Sequence, residues 1–161
     1  MRYTKSYQST HDIDWFFRDG ERLVHVASNG AELPSFVDDV KNLRAIQTQV
    51  ANMAVYEGIE VDINQEYVDH RFKMLSEILN IEITEESREN YLASFREMAL
   101  KGFYSYDRDL VEKSLFHLIC SPSKADSKHL WNCIPERSLE IVFPEEDKAS
   151  FSINTSSFLF E

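Results

Sequence analysis

Two carboxylates and a histidine come together on a predicted β-hairpin near the start of the chain. Asp19-Gly20 lies between two apolar runs, which is the strongest short-range signal for a two-residue hairpin turn. In that register Asp14 is directly opposite His25, and Asp12 is diagonal to it. Because a carboxylate at this spacing can hold an imidazole in one tautomer, Asp14 and His25 are the candidate catalytic residues, with the histidine as general base.

Asp12 adds a second interpretation of the same cluster. Two carboxylates and one imidazole are the kinds of ligand that divalent metals bind, but a metal site needs further ligands, which the sequence does not place. We therefore assign no metal ligands. The third interpretation is an outward-facing ion pair between Asp14 and His25 that helps to set the hairpin register. The sequence favours this one, because most such pairs are structural.

The hairpin register also divides the remaining side chains between two faces of the sheet. The face opposite the ionisable cluster is apolar throughout and must belong to the core. Its residues are Ile13, Trp15, Phe17, Val24 and Val26. Phe16 and Leu23 share the other face with the cluster.

The sequence lacks the motifs of several other chemistries. Its four glycines are too widely spaced for a dinucleotide fingerprint or a phosphate loop, and no GxSxG, HExxH or EF-hand pattern occurs. Cys120 and Cys133 form no CxxC pair, so we expect free thiols. His117 and Cys120 would share a face only in a helix, and we prefer a strand there. We expect no cofactor.

Three helices are predicted in the middle of the chain. The first is expected over residues 35–58, with Ser35 as its N-cap. The second runs from Asn64 to Asn80 with a buried stripe that ends at Leu79, and the third runs from Thr84 to residue 102. Between the first two helices, the alternation over residues 59–63 predicts a short strand or extended connection.

The final third of the chain reads as a loop followed by several strands. Residues 104–109 mix aromatic and charged side chains, so we expect a loop whose Tyr104, Tyr106 and Arg108 contribute to a binding surface. The competing interpretation is that the tyrosines close over the sheet edge. Residues 110–120 fit a helix loosely, but 115–120 is better described as a strand. Alternating runs at 139–143 and 149–153, then an apolar stretch at 157–160, predict a C-terminal meander.

These elements predict an α+β fold in a single domain over residues 1–161. The sheet is expected to be mainly antiparallel, built from the N-terminal hairpin and the C-terminal meander, with three helices packed on one face. A chain of this length can bury a core large enough to fold without disulfides.

The chain is acidic, with 28 Asp and Glu against 17 Lys and Arg, and a net charge of -11. Binding to a phosphate backbone needs clustered basic residues, so we expect no nucleic-acid partner. A basic protein partner suits this charge, although acidic helix faces also serve solubility alone. There is no run of 18 apolar residues and no apolar region at the N-terminus, so we expect no membrane interaction and a cytoplasmic location.

The sequence favours a non-enzymatic intracellular binding or accessory protein with an acidic, aromatic-containing interaction surface. The alternative is a small hydrolase or metal-dependent enzyme centred on Asp12, Asp14 and His25. An enzyme needs these groups to converge in a concave site with a third catalytic residue, whereas a flat surface there favours binding. The sequence leaves the oligomeric state open.

Overall fold

A computed structural model describes residues 1–124 and 132–154. The helices are α1 (Lys5–Thr10), α2 (Val40–Ala51), α3 (Gln65–Leu79) and α4 (Glu85–Leu100). The strands are β1 (Asp14–Asp19), β2 (Arg22–Ala27), β3 (Val61–Ile63), β4 (Phe103–Arg108), β5 (Leu115–Pro122), β6 (Ile141–Val142) and β7 (Ser150–Ile153). None of the helices in the described part of the chain is long and apolar enough to span a membrane.

The strands form one sheet in the order β1-β2-β4-β5-β7-β6, and β3 pairs with β5. The predicted α+β class and mostly antiparallel pairing are confirmed. The sheet is nevertheless mixed, because β2 and β4 are parallel, and the described chain has four helices rather than three. The parallel pair arises because residues 28–102, with three of the helices, return the chain to the same end of the sheet before β4 begins.

The hairpin turn lies one residue later than predicted. Asp19 pairs with Arg22, so Gly20 and Glu21 form the turn, and Asp14 is opposite Ala27 instead of His25. Gly20 has a φ of 58°, a conformation that favours glycine. Each β1 residue therefore pairs two residues further along β2 than expected. Because side chains alternate with a period of two, this shift leaves the predicted faces unchanged.

Buried charge explains this register. The Asp19 side chain is buried, accepts a hydrogen bond from Lys148 and lies 3.5 Å from the Arg137 guanidinium. These contacts hold Asp19 in the sheet as the last residue of β1, where the sequence alone suggests a turn residue.

The sheet curls so that aromatic side chains from distant strands meet on its inner face. The Trp15 ring lies 6.1 Å from that of Phe116 on β5 and 6.2 Å from that of Phe151 on β7. Residues 135–142 connect the two edges: the Arg18 amide donates to the Pro135 carbonyl, and β6 pairs with β7. The inner face is thereby enclosed.

The outer face of the sheet packs against α3 and α4. Its apolar contacts form a second core cluster that contains Ala27, Val68, Phe72, Leu92, Phe95, Ala99, Ile119 and Cys120. The Asn64 and Thr84 side chains cap α3 and α4 as predicted, and Asn80 ends α3 in the left-handed conformation. Leu79 is exposed, which corrects its predicted place in the buried stripe.

The first predicted helix is shorter than expected. α2 begins after Asp39, whose side chain accepts a hydrogen bond from the Asn42 amide. Ser35 is not the cap, because its amide and hydroxyl both donate to the Glu140 carboxylate.

The predicted loop over residues 104–109 is wrong, since residues 103–108 form β4 in the middle of the sheet. Strands β2 and β5 pair with both edges of β4 and satisfy its backbone groups. The strand prediction for residues 115–120 is confirmed by β5. The predicted strand at 157–160 lies outside the described residues; β7 itself already pairs with β5 and β6.

Candidate functional site

The predicted catalytic pair belongs to a hydrogen-bonded chain of three side chains, of which His25 and Ser105 are buried. His25 Nε2 lies 2.8 Å from Asp14 Oδ1, and His25 Nδ1 lies 2.6 Å from Ser105 Oγ. The pair survives the register shift because Asp14 and His25 become diagonal neighbours. Ser105 joins them because it is opposite His25 in the parallel β2–β4 pair. Asp12 instead accepts a hydrogen bond from the Asn29 amide.

The three residue types are those of a serine hydrolase, but their surroundings restrict what they can do. Both ring nitrogens of His25 are occupied, its side chain is 2% exposed, and Ser105 is fully buried. A nucleophile must reach a substrate, and this hydroxyl has no exposed surface. Asp14 remains half-exposed. Within residues 1–124 and 132–154, no three His, Cys, Asp or Glu side chains are grouped to hold a metal ion.

The three predicted binding residues lie in different surroundings. Tyr106 is fully buried; its hydroxyl accepts from Arg22 and donates to the Lys148 carbonyl at 2.7 Å, and burial raises its pKa to about 12. The half-buried Tyr104 ring lies 4.1 Å from the Arg22 guanidinium carbon. Arg108 is part-buried further along β4. Arg22 thus joins the two tyrosines.

Sequence reasoning missed a buried ion pair between α3 and β4. Arg71 Nη2 lies 3.2 Å from Asp107 Oδ2, and Tyr91 donates a 2.6 Å hydrogen bond to the same oxygen. Arg71 also donates to the Arg108 carbonyl. Burial acts to lower the pKa of Arg71, but Asp107, Tyr91 and Tyr67 together raise it, so the guanidinium stays charged. A signal existed, because Arg71 lies in the helical stripe with Val68 and Phe72.

A second carboxylate–imidazole pair lies where β4 ends and β5 begins. His117 Nε2 is 2.8 Å from Asp109 Oδ1, and the Tyr67 ring stacks on the imidazole at 3.9 Å. Burial lowers the pKa of His117. Burial opposes ionisation of Asp109, but the amides of Glu112 and Val111 together with His117 lower its pKa. A neutral imidazole bonded to a carboxylate anchors the turn between β4 and β5.

Two clefts open on the surface away from these groups. The larger, about 960 Å³, is lined by residues that include Tyr3, Lys5, Leu33, Asp38 and Glu140. Burial and the nearby Glu140 raise the pKa of Asp38, against the opposing effect of Arg2. The smaller, about 380 Å³, lies between α2 and residues 132–135. Neither cleft is lined by the predicted catalytic pair or by the predicted binding tyrosines.

The junction of α3 and α4 exposes large aliphatic side chains next to acidic ones. Ile78, Leu79 and Ile81 are 62%, 55% and 50% exposed, and we call these three residues the α3–α4 patch. Residues 74–87 contain no Lys or Arg. The exposed carboxylates of this stretch, which we call the acidic rim, are Glu77, Glu82, Glu85 and Glu86.

Hydrogen bonds hold the backbone of the α3–α4 patch in place. The Ser76 carbonyl accepts from the amides of Asn80 and Ile81, and the Ser76 hydroxyl donates to the Ile81 carbonyl at 2.6 Å. Asn80 has a φ of 52°, the left-handed helix ending that asparagine tolerates. The exposed side chains therefore project from a defined turn.

Comparisons of the chain with protein-family models, with curated proteins and with solved structures give no match. The function is therefore argued from the charges, contacts and burial of its own residues.

Proposed function

We propose that this protein is a non-enzymatic binding protein whose acidic surface on α3 and α4 takes a basic protein partner. The observation that carries the proposal is an excess of exposed negative charge. The four carboxylates of the acidic rim are exposed, and within the described chain none of them forms an ion pair.

Most basic residues of the same two helices, including the one that ends α4, are already paired within the chain. Four of the five Lys and Arg in residues 65–101 form ion pairs. These pairs are Arg71 with Asp107, Arg88 with Asp69, Arg96 with Glu89, and Lys101 with Glu97. The surface therefore keeps a negative field, which attracts a basic partner and accelerates its association.

The environment of Asp14 and His25 supports a binding role over the enzymatic alternative. A hydrolase or metal enzyme centred on Asp12, Asp14 and His25 needs these groups to face a cleft. His25 is instead buried beneath α4, with its ring 6.3 Å from that of Phe95. Its two hydrogen bonds join β1, β2 and β4, which is a structural task.

The test is the binding of a labelled Lys-Ser repeat peptide to the full chain at several salt concentrations. We expect replacement of the four acidic-rim glutamates by glutamine to weaken binding about tenfold at low salt and to flatten its salt dependence. The matched control replaces four exposed glutamates elsewhere, namely Glu57, Glu60, Glu145 and Glu146. If both variants lose the same affinity, the peptide responds only to net charge and the proposal is wrong.

A further inference from the structure

We infer that the α3–α4 patch is the apolar centre of the binding surface and takes an amphipathic basic segment of a partner, with large aliphatic side chains flanked by Lys or Arg. This inference rests on the proposed function and adds to it the chemistry of the partner. The observation that carries it differs from the one that carries the proposed function. It is the exposure of three aliphatic side chains that are close in sequence.

The clustering of these side chains distinguishes them from other exposed aliphatic residues. Val55 and Val111 are each exposed alone, as single surface apolar residues commonly are, and Leu139 has one exposed aliphatic residue near it in sequence, Val142, which is 42% exposed. Ile78, Leu79 and Ile81 instead fall within four consecutive positions. Contiguous exposed apolar surface rimmed by polar residues is typical of interaction sites.

The hydrogen bonds around Ser76 reduce the entropy that binding would cost. Because Ser76 fixes the Ile81 backbone and Asn80 ends the helix, the patch is ordered before a partner arrives. An ordered surface loses less conformational entropy when it binds than a flexible one does. Burial of its aliphatic side chains then adds to affinity at roughly 25 cal/mol per Å² of apolar surface.

The charge around the patch decides between occupants. A second copy of this chain would bring another acidic rim against the first, and like charges oppose that contact. A segment with Lys or Arg beside its apolar residues satisfies both parts of the surface. An interface with an apolar centre and a charged rim has the usual arrangement of a protein–protein contact.

The experiment compares two labelled peptides of equal length and charge, one with Lys-Leu repeats and one with Lys-Ser repeats. We expect the full chain to bind the Lys-Leu peptide about tenfold more tightly. The patch variant carries Ile78→Gln, Leu79→Gln and Ile81→Gln, and should lose that preference while binding the Lys-Ser peptide as before. Glutamine retains good helix propensity, and circular dichroism checks that the variant is folded.

The matched control carries Val55→Gln, Val111→Gln and Leu139→Gln, and it should keep the full preference for the Lys-Leu peptide. A preference that survives in the patch variant, or that both variants lose equally, overturns the inference. Self-association of the wild-type chain that the patch variant abolishes would identify a second copy as the occupant and overturn it as well. In each of these cases the proposed function would still hold if binding of the Lys-Ser peptide depends on the acidic rim.

Discussion

The inner face of the curled sheet is filled by aromatic rings, whereas the outer face, beneath α3 and α4, buries a histidine, a serine and an aspartate. Trp15 and its aromatic neighbours on the inner face remove apolar surface from water, a driving force that depends on the buried area and requires no particular partner. His25 and Asp107 on the outer face form hydrogen bonds, which require particular partners. Both faces bury apolar side chains, and the outer face adds hydrogen bonds that select the arrangement of strands and helices.

The largest expected effect comes from emptying the inner face. Trp15→Ala removes a fully buried side chain and should lower the free energy of unfolding by about 4 kcal/mol. Urea denaturation measures the change. Leu139→Ala is the control, because Leu139 is 95% exposed and should change stability by less than about 0.5 kcal/mol. A loss below about 1 kcal/mol for Trp15→Ala would contradict the assignment of this face.

A somewhat smaller effect is expected from breaking the buried ion pair of the outer face. Arg71→Met leaves the Asp107 carboxylate without its cation and should cost about 3 kcal/mol, because Tyr91 and the Arg108 amide still donate to it. Adding Asp107→Leu removes the buried charge as well and should recover much of the loss. If the double variant Arg71→Met/Asp107→Leu is less stable than Arg71→Met alone, the prediction is wrong. The Asp107 carboxylate would then stabilise the fold even without its cation.

The smallest effect concerns pH and the His117–Asp109 pair. Burial lowers the pKa of His117 below its usual 6.5, so below that pH the unfolded chain binds more protons than the folded chain. Stability should therefore decrease as pH falls below 6.5, and His117→Gln should reduce this decrease. Urea denaturation at several pH values measures both chains, with His11→Gln as the exposed control. A profile unchanged by His117→Gln would contradict the prediction.

The two faces also differ in how well the sequence predicts them. Alternation around Trp15 and Phe17 identifies the inner face correctly even though the predicted turn is one residue early, because a shift of two residues in pairing preserves the faces. The helix ends at Asn64, Asn80 and Thr84 are also predictable, because capping residues are signals local in the sequence. Asp19 misled the prediction, since its burial depends on Lys148, far away in sequence.

The outer face could not be predicted from local pattern. Charged residues around Asp107 indicate a loop when read alone, and partners distant in sequence, Arg71 on α3 and Tyr91 on α4, make a central strand tolerable at that position. Of the candidate site residues, Asp14 and His25 were predictable as a pair because both lie on one hairpin. Ser105 was not, because the parallel β2–β4 pairing brings it in from the far side of a long crossover. The α3–α4 patch was hidden by the helical period, which places Leu79 in the buried stripe.

The parallel pairing of β2 with β4 also has a consequence for how the chain is made. Residues 28–102 separate the two strands, so the centre of the sheet has high contact order, and closing this loop opposes folding before its contacts form. During synthesis the hairpin is made before β4, and its β2 edge stays unpaired until β4 has been translated. At typical rates that interval lasts roughly 4 to 15 seconds. An open strand edge exposed for so long is a site where nascent chains aggregate, so folding yield should depend on early protection of β2.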